Sequence, residues 1–172
     1  MTITIKEFGP GTMEGRSALQ YIATHMRSAD IREARLSGTT PLTVTKLVAD
    51  NAPRIVVAYL DDIPAFAFGT WQMAGWLGQV WGFGTEFAPE VMSAVTKYTI
   101  RHFLPGETAR GIRRLELRLP ADHWNNIHWI KFLGGKFEGY LTNYGPAGED
   151  FVQMSLSMMP RPSRAVEVSL AA

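Results

Sequence analysis

The chain has 172 residues, of which 46% are hydrophobic and 19% are charged, and its formal net charge is +1. This length predicts one domain with a sizeable core, and the composition argues against an intrinsically disordered chain. The near-neutral charge gives no electrostatic signal for nucleic acid or an anionic membrane as a partner. Because the sequence contains no cysteine, disulfides, cysteine–zinc sites and a cysteine nucleophile are excluded.

The N-terminal third predicts one strand followed by three helices. Residues 2–8 alternate between apolar and polar side chains, which is typical of a strand, and residues 15–26 carry apolar side chains at helical spacing. A second helix is expected over 27–38. A third begins after Thr40-Pro41, a capping residue followed by proline.

The central part changes to strands. Residues 54–72 predict two strands joined by a turn at Asp61-Asp62, and a third strand follows after residue 75. The longest helix is expected to begin at Pro89 and to end at Pro105-Gly106. Since this helix connects two strands, it predicts a locally parallel pair.

The C-terminal part predicts the remaining sheet. Residues 112–120 alternate as a half-buried strand, with Leu115, Leu117 and Leu119 on one face and Arg114, Glu116 and Arg118 on the other. A short helix follows over 122–135, and two strands flank a loop at 145–148. The predicted fold class is therefore α/β (α+β), with a mixed central sheet of about six to seven strands flanked by about four to five helices. We expect one domain over residues 1–160 and a C-terminal extension over 161–172.

The last third of the sequence resembles a known fold. NNIHWIKFLGGKFEGYL is similar to the late helix–turn–strand element of the GNAT N-acetyltransferases, and GPAGEDFVQMSL is similar to their final hairpin. More narrowly, ADHWNNIHWIKFLGGKFEGYL…GEDFVQMS, with IREARLSG…P near the start, resembles the GNAT-like proteins of tailed phages, of the internal virion protein A type. The resemblance covers about residues 1–158 and implies a GNAT-like sheet.

One stretch matches the letters of the family's cofactor loop, Gln/Arg-x-x-Gly-x-Gly/Ala. Residues 79–84 have the sequence QVWGFG. If they form that loop, the resemblance implies that acetyl-CoA is held by Gly82, Phe83, Gly84 and Thr85, together with Asn125. Such a loop must open a helix so that free amides face the diphosphate, whereas Pro89 begins the helix five residues later. We therefore interpret residues 79–84 as a strand, with Glu86 and Glu90 near the place of the phosphates.

The resemblance also implies a base for the amine and an acid for the leaving thiolate, usually a tyrosine. Ile130 occupies the tyrosine position, so Tyr144 or Tyr140 would have to replace it. Glu86, at the end of a strand, is the candidate base, and Tyr144 is the candidate acid. No metal site is expected, because His123 and His128 are five residues apart rather than four.

The altered loop and acid favour a GNAT-fold protein of phage origin with a degenerate acetyl-CoA site and no cofactor. Its expected role is structural, in virion assembly or genome ejection, with other virion proteins or a host protein as partners and the virion or host cytoplasm as location. The alternative is an active acetyl-CoA-dependent N-acetyltransferase of a host protein or small amine. A third hypothesis is an antagonist of host defence that acts by binding. The sequence does not indicate the oligomeric state.

Overall fold

The computed structural model describes residues 1–158, so the extension predicted over 161–172 lies outside the described residues. Seven strands form one sheet in the order β1-β2-β3-β4-β5-β7-β6. The strands are β1 Ile3–Phe8, β2 Arg54–Leu60, β3 Ile63–Ala74, β4 Leu77–Gly84, β5 Arg114–Pro120, β6 Lys136–Leu141 and β7 Phe151–Ser157. The helices are α1 Met13–Thr24, α2 Ser28–Leu36, α3 Pro41–Asn51, α4 Ala88–Tyr98, α5 Leu104–Ala109 and α6 Trp124–Phe132.

The strands pair antiparallel except for β4 and β5, which are parallel. The mixed sheet and its parallel pair are thus confirmed. A π-helical turn, Thr99–Phe103, joins α4 and α5 without interruption, so that five helical rods flank the seven strands. In the part of the chain that the structure describes, no helix has the length and apolarity needed to cross a membrane.

The alternation along β2 divides the core between the two faces of the sheet. Ile55 and Val57 pack with α1 and α3, whereas Val56 and Ala58 pack with α4. A third apolar cluster joins β5 and β7 to α6 and includes Leu117. Each strand side chain in this stretch is fully buried because helices cover both faces.

The prediction that Pro105-Gly106 ends the long helix is wrong. The π turn precedes Pro105, and the amide of Leu104 bonds to the carbonyl of Thr99, five residues back. This wider turn rearranges the carbonyls against which a proline ring otherwise clashes, so the helix continues to Ala109. The carbonyl of Phe103 accepts a hydrogen bond from Arg54 at 3.3 Å.

The continuation α5 is held to the sheet by Glu107, whose side chain is fully buried. Its carboxylate accepts hydrogen bonds from Thr70 at 2.7 Å and from Arg110 at 2.9 Å, and it lies 3.5 Å from Arg54. Gly106 permits this approach, because a Cβ there would lie 2.5 Å from the Arg54 guanidinium.

Candidate functional site

A gap opens in the middle of the sheet between the two parallel strands. β4 pairs with β5 only over Leu77, Gly78 and Gln79, and the rest of β4 runs beyond this ladder. Residues 79–84 are therefore a strand, as interpreted from the sequence, and their glycines do not form a loop. The connection to α4 is only the three residues 85–87.

A cavity of about 410 Å³ lies on one side of the gap, between α4, α6 and the sheet. We call it the α4 cavity. Its wall is mainly apolar and includes Phe66, Met92, Leu117, Trp129 and Ile130. Its volume lies within the range of about 300–1,000 Å³ that is typical of small-molecule sites.

A second cavity, of about 240 Å³, lies on the other side of the sheet beneath α2, and we call it the α2 cavity. The two cavities share five wall residues: Glu33, Val80, Trp81, Gly82 and Arg118. They therefore meet through the gap between β4 and β5.

The edge of β4 that borders the gap offers backbone groups to a ligand. The amide of Thr85 donates to Ala65 of β3, whereas the amide of Gly84 points away from β3 and donates to Asp30. Since backbone direction alternates along a strand, Val80 and Gly82 also present their N–H and C=O groups to the side away from β3. These groups lie where β5 has diverged.

The start of α4 differs from an anion-binding helix start. The amides of Thr85, Phe87 and Ala88 donate to Ala65, to the Thr85 hydroxyl and to the Thr85 carbonyl, respectively. Pro89 has no amide to offer. The amide of Gly84 donates a hydrogen bond to Asp30, which is buried and also pairs with Arg27 at 2.9 Å. Four of the backbone amides between Gly84 and Ala88 are thus engaged within the protein rather than offered to a diphosphate.

Two contacts fasten α2 to the loop before α6. Arg32 donates to both carboxylate oxygens of Asp122, at 3.0 and 2.8 Å, and these hydrogen bonds lower the pKa of Asp122. Glu33 lies next to Arg32, and its Oε2 is 2.9 Å from Nδ1 of His123. Because Glu33 lines both cavities, this contact holds a carboxylate at their junction.

A guanidinium lies on the same face of the sheet as the α2 cavity. Arg118 of β5 lines both cavities; its Nη1 donates to the Tyr144 hydroxyl at 3.0 Å and its Nε to Gln153 at 3.2 Å. Tyr144 also lines a third cavity beside Arg118, toward the end of α2. The junction therefore combines a carboxylate and a cation.

The structure separates the site residues that were predicted from the sequence. Gly82 and Asn125 line the α4 cavity, and Phe83 lines the α2 cavity. Gly84 and Thr85 are buried at the end of β4, with their amides engaged. Glu86 is exposed on the loop before α4 and lines neither cavity, and Tyr144 lies on the far side of Arg118. Their roles stay predictions.

The sequence did not identify Glu33, the carboxylate at the junction, as a candidate site residue. Glu33 and His123 are 90 residues apart, and each alone is ordinary. The alternation of residues 112–120 did place Arg118 on the polar face of its strand. Among residues 1–158, no three acidic or histidine side chains gather as a metal ion would require.

No protein-family model matches the sequence, and a sequence comparison with curated proteins finds no match. Solved structures do match. The ribosomal-protein-S18-alanine N-acetyltransferase of Escherichia coli has a TM-score of 0.66 at 14% identity, over 95% of this chain and 98% of that chain. An acetyltransferase of the GNAT family from Streptococcus pneumoniae has a TM-score of 0.61 at 15% identity, over 91% and 99%.

An aminoglycoside 6'-N-acetyltransferase, solved in complex with coenzyme A, has a TM-score of 0.63 at 14% identity, over 92% of this chain and 99% of that chain. At such identities a structural likeness establishes the fold and leaves the substrates open. The chain has the GNAT fold.

Proposed function

We propose that this protein transfers an acyl group from a coenzyme A thioester in the α4 cavity to an amine in the α2 cavity. The observation that carries the proposal is that the two cavities meet at a gap in the sheet where Glu33 lies. Two reactants held on opposite sides of such a gap meet in a fixed orientation, which removes much of the entropic cost of their encounter.

The pantetheine arm of the donor can form hydrogen bonds with backbone groups on the edge of β4 that borders the gap. The backbone groups of Val80 and Gly82 can pair with its amides as a neighbouring strand would. Gly82 is exposed although it lies within a strand, and a Cβ there would lie 3.0 Å from the ring of Phe66. Glycine thus keeps this side of the gap open.

The diphosphate of coenzyme A is expected to contribute little to binding. The amides of Phe87 and Ala88 are engaged, Pro89 has none, and Glu86 and Glu90 are exposed nearby. Like charges oppose a bound diphosphate. Recognition of the donor therefore rests on the pantetheine arm and the apolar wall of the α4 cavity.

Glu33 is the proposed base. It takes a proton from the attacking amine as the new C–N bond forms, and the C–S bond then breaks to release a thiolate. Thiols ionise near pH 8.5, so the thiolate leaves without a strong acid beside it. His123 is a positioning residue, because its contact at 2.9 Å fixes the carboxylate of Glu33.

The engaged amides also favour a second candidate, a GNAT-fold protein that does not bind coenzyme A. The role in virion assembly or ejection, which follows only from the phage resemblance, belongs to this candidate. The two candidates differ in one measurable property, the affinity for a thioester donor.

Calorimetry with acetyl-CoA, S-acetyl-pantetheine and ADP tests the proposal. We expect acetyl-CoA and S-acetyl-pantetheine to bind within about tenfold of each other, a difference of about 1.4 kcal/mol, and ADP to bind far more weakly. Thiol release in the presence of a panel of amines then measures transfer. If neither thioester binds at millimolar concentration, the second candidate is favoured and the proposal fails.

Two glycine variants give a matched control. Gly82→Val places a side chain against Phe66 in the gap, and we expect it to abolish binding of the thioester. Gly139→Val, in the edge strand β6, adds the same side chain where nothing lies within 4 Å of the new Cβ, and we expect it to retain binding.

A further inference from the structure

Arg118 is held in place by neutral groups. Its Nε donates to the Gln153 side chain and its Nη1 to the Tyr144 hydroxyl, while the guanidinium carbon lies 5.7 Å from the centre of the Tyr144 ring. Gln153 is its cross-strand partner on β7. These contacts orient the guanidinium without neutralising its charge.

The carboxylates around the two cavities already have basic partners. Asp30 pairs with Arg27, and Glu33 contacts His123. Glu116, two residues before Arg118 on the same face of β5, pairs with Arg114 at 2.7 Å. Within residues 1–158, Arg118 forms no ion pair with any carboxylate. The α2 cavity therefore presents an oriented cation that has no carboxylate of residues 1–158 paired with it.

Asp30, Ser37, Thr39 and Gln79 also line the α2 cavity, and the other part of its wall is apolar. Val44, Trp71, Trp81 and Phe83 form this part of its wall, and the rings of Trp81 and Phe83 stack at 5.1 Å. A molecule that fills the cavity thus meets a base at the junction, a cation on β5 and an apolar surface beneath α2. An amine, a carboxylate and an apolar side chain complement these three features.

We propose that the acceptor is an amino acid with an apolar side chain, whose carboxylate binds Arg118 while its amine faces Glu33. This inference rests on the proposed function and adds the class of acceptor. Arginine suits the role because its planar fork of N–H groups matches a carboxylate. Tyr144 and Gln153 then act as positioning residues for the guanidinium.

The test compares two acceptors that differ only in the carboxylate, phenylalanine and phenethylamine, with acetyl-CoA as the donor. A charge-assisted hydrogen bond typically contributes about 1.5–3 kcal/mol, so we expect phenylalanine to be preferred about 10- to 100-fold in kcat/KM. Calorimetry of N-acetyl-phenylalanine against the free protein measures the carboxylate contact without any turnover.

Variants at Arg118 and at Arg113, an arginine outside the cavities, complete the experiment. Arg118→Gln should raise KM for phenylalanine by about the same factor, leave kcat nearly constant and leave phenethylamine unaffected. Arg118→Lys should restore part of the affinity, because it keeps the charge without the fork. Arg113→Gln is the matched control, since Arg113 is exposed just before β5 and lines none of the three cavities.

The outcomes separate the two proposals. Equal use of both acceptors, or unchanged affinity of Arg118→Gln for N-acetyl-phenylalanine, overturns the inference while the proposed function stands. If N-acetyl-phenylalanine binds through Arg118 but no amine is acylated, the proposed function fails and the carboxylate site remains. If N-acetyl-phenylalanine does not bind and no amine is acylated, both are overturned.

Discussion

Glu33 and Glu86 are the two carboxylates that compete for the role of base, and their surroundings differ. Glu33 lies at the junction of the cavities and contacts His123, whereas Glu86 is exposed on the loop before α4. We expect Glu33→Gln to lower kcat by about 10²- to 10⁴-fold, the usual contribution of a general base, with little change in donor affinity. Thiol release under saturating donor measures the effect.

The corresponding change at the other carboxylate, Glu86→Gln, decides between them. If Glu33 is the base, Glu86→Gln should retain transfer, and it should also bind acetyl-CoA at least as well, because a charge near the diphosphate is removed. A collapse of kcat in Glu86→Gln with normal turnover in Glu33→Gln would restore the base predicted from the sequence.

Single residues also show where sequence reasoning reached its limit. Ile130, which the resemblance puts at the tyrosine position, lies in α6, is buried in the third apolar cluster and lines the α4 cavity. The absence of the usual acid there stays a prediction. The contact between Glu33 and His123 could not be predicted, because it depends on how α2 lies against a loop 90 residues away. No local sequence pattern predicts a contact between residues so far apart in the chain.

At the scale of elements, the helical rod α4–α5 depends on the buried Glu107. We expect Glu107→Gln to lower the free energy of unfolding by about 3 kcal/mol, at the lower end of the range for breaking a buried ion pair. The reason is that Arg54 and Arg110 would then face a neutral side chain, with Glu7 as the remaining carboxylate beside Arg54. Denaturation in urea measures the loss.

Glu90→Gln on the exposed side of α4 serves as the reference for that change, with an expected effect within about 0.5 kcal/mol. Equal stability of the two variants would mean that the network around Glu107 does not hold the rod.

The same network explains the wrong end predicted for the helix. Proline and glycine signal a stop by local rules, whereas here a π turn and the approach of Arg54 override them.

The strand β4 shows the opposite case, in which a local signal was sufficient. Pro89 marks the helix start so clearly that residues 79–84 had to precede the helix by several positions, and the structure confirms a strand there. What the sequence could not show was the partial pairing with β5. A gap between strands arises from the divergence of two segments, and neither segment alone carries a sign of it.

At the scale of the whole molecule, the sheet consists of two halves, β1–β4 and β5–β7–β6. Only three backbone-paired positions of the ladder between β4 and β5 join them. Each half has its own apolar clusters. A ligand that pairs with the edge of β4 inside the gap would therefore connect the halves where the backbone leaves them apart. Binding should stabilise the folded protein by RT ln(1 + [L]/Kd), which continues to rise with donor concentration after the site is filled.

Hydrogen exchange locates that connection. With saturating acetyl-CoA, we expect the amides of Val80 and Gly82 to exchange more slowly, because the pantetheine arm accepts hydrogen bonds from them. The amide of Gly84 should change little, since Asp30 already accepts its hydrogen bond at 2.7 Å in the free protein. Protection confined to the start of α4, with no change at Val80 and Gly82, would mean that the donor binds by its diphosphate and that the gap is not its site.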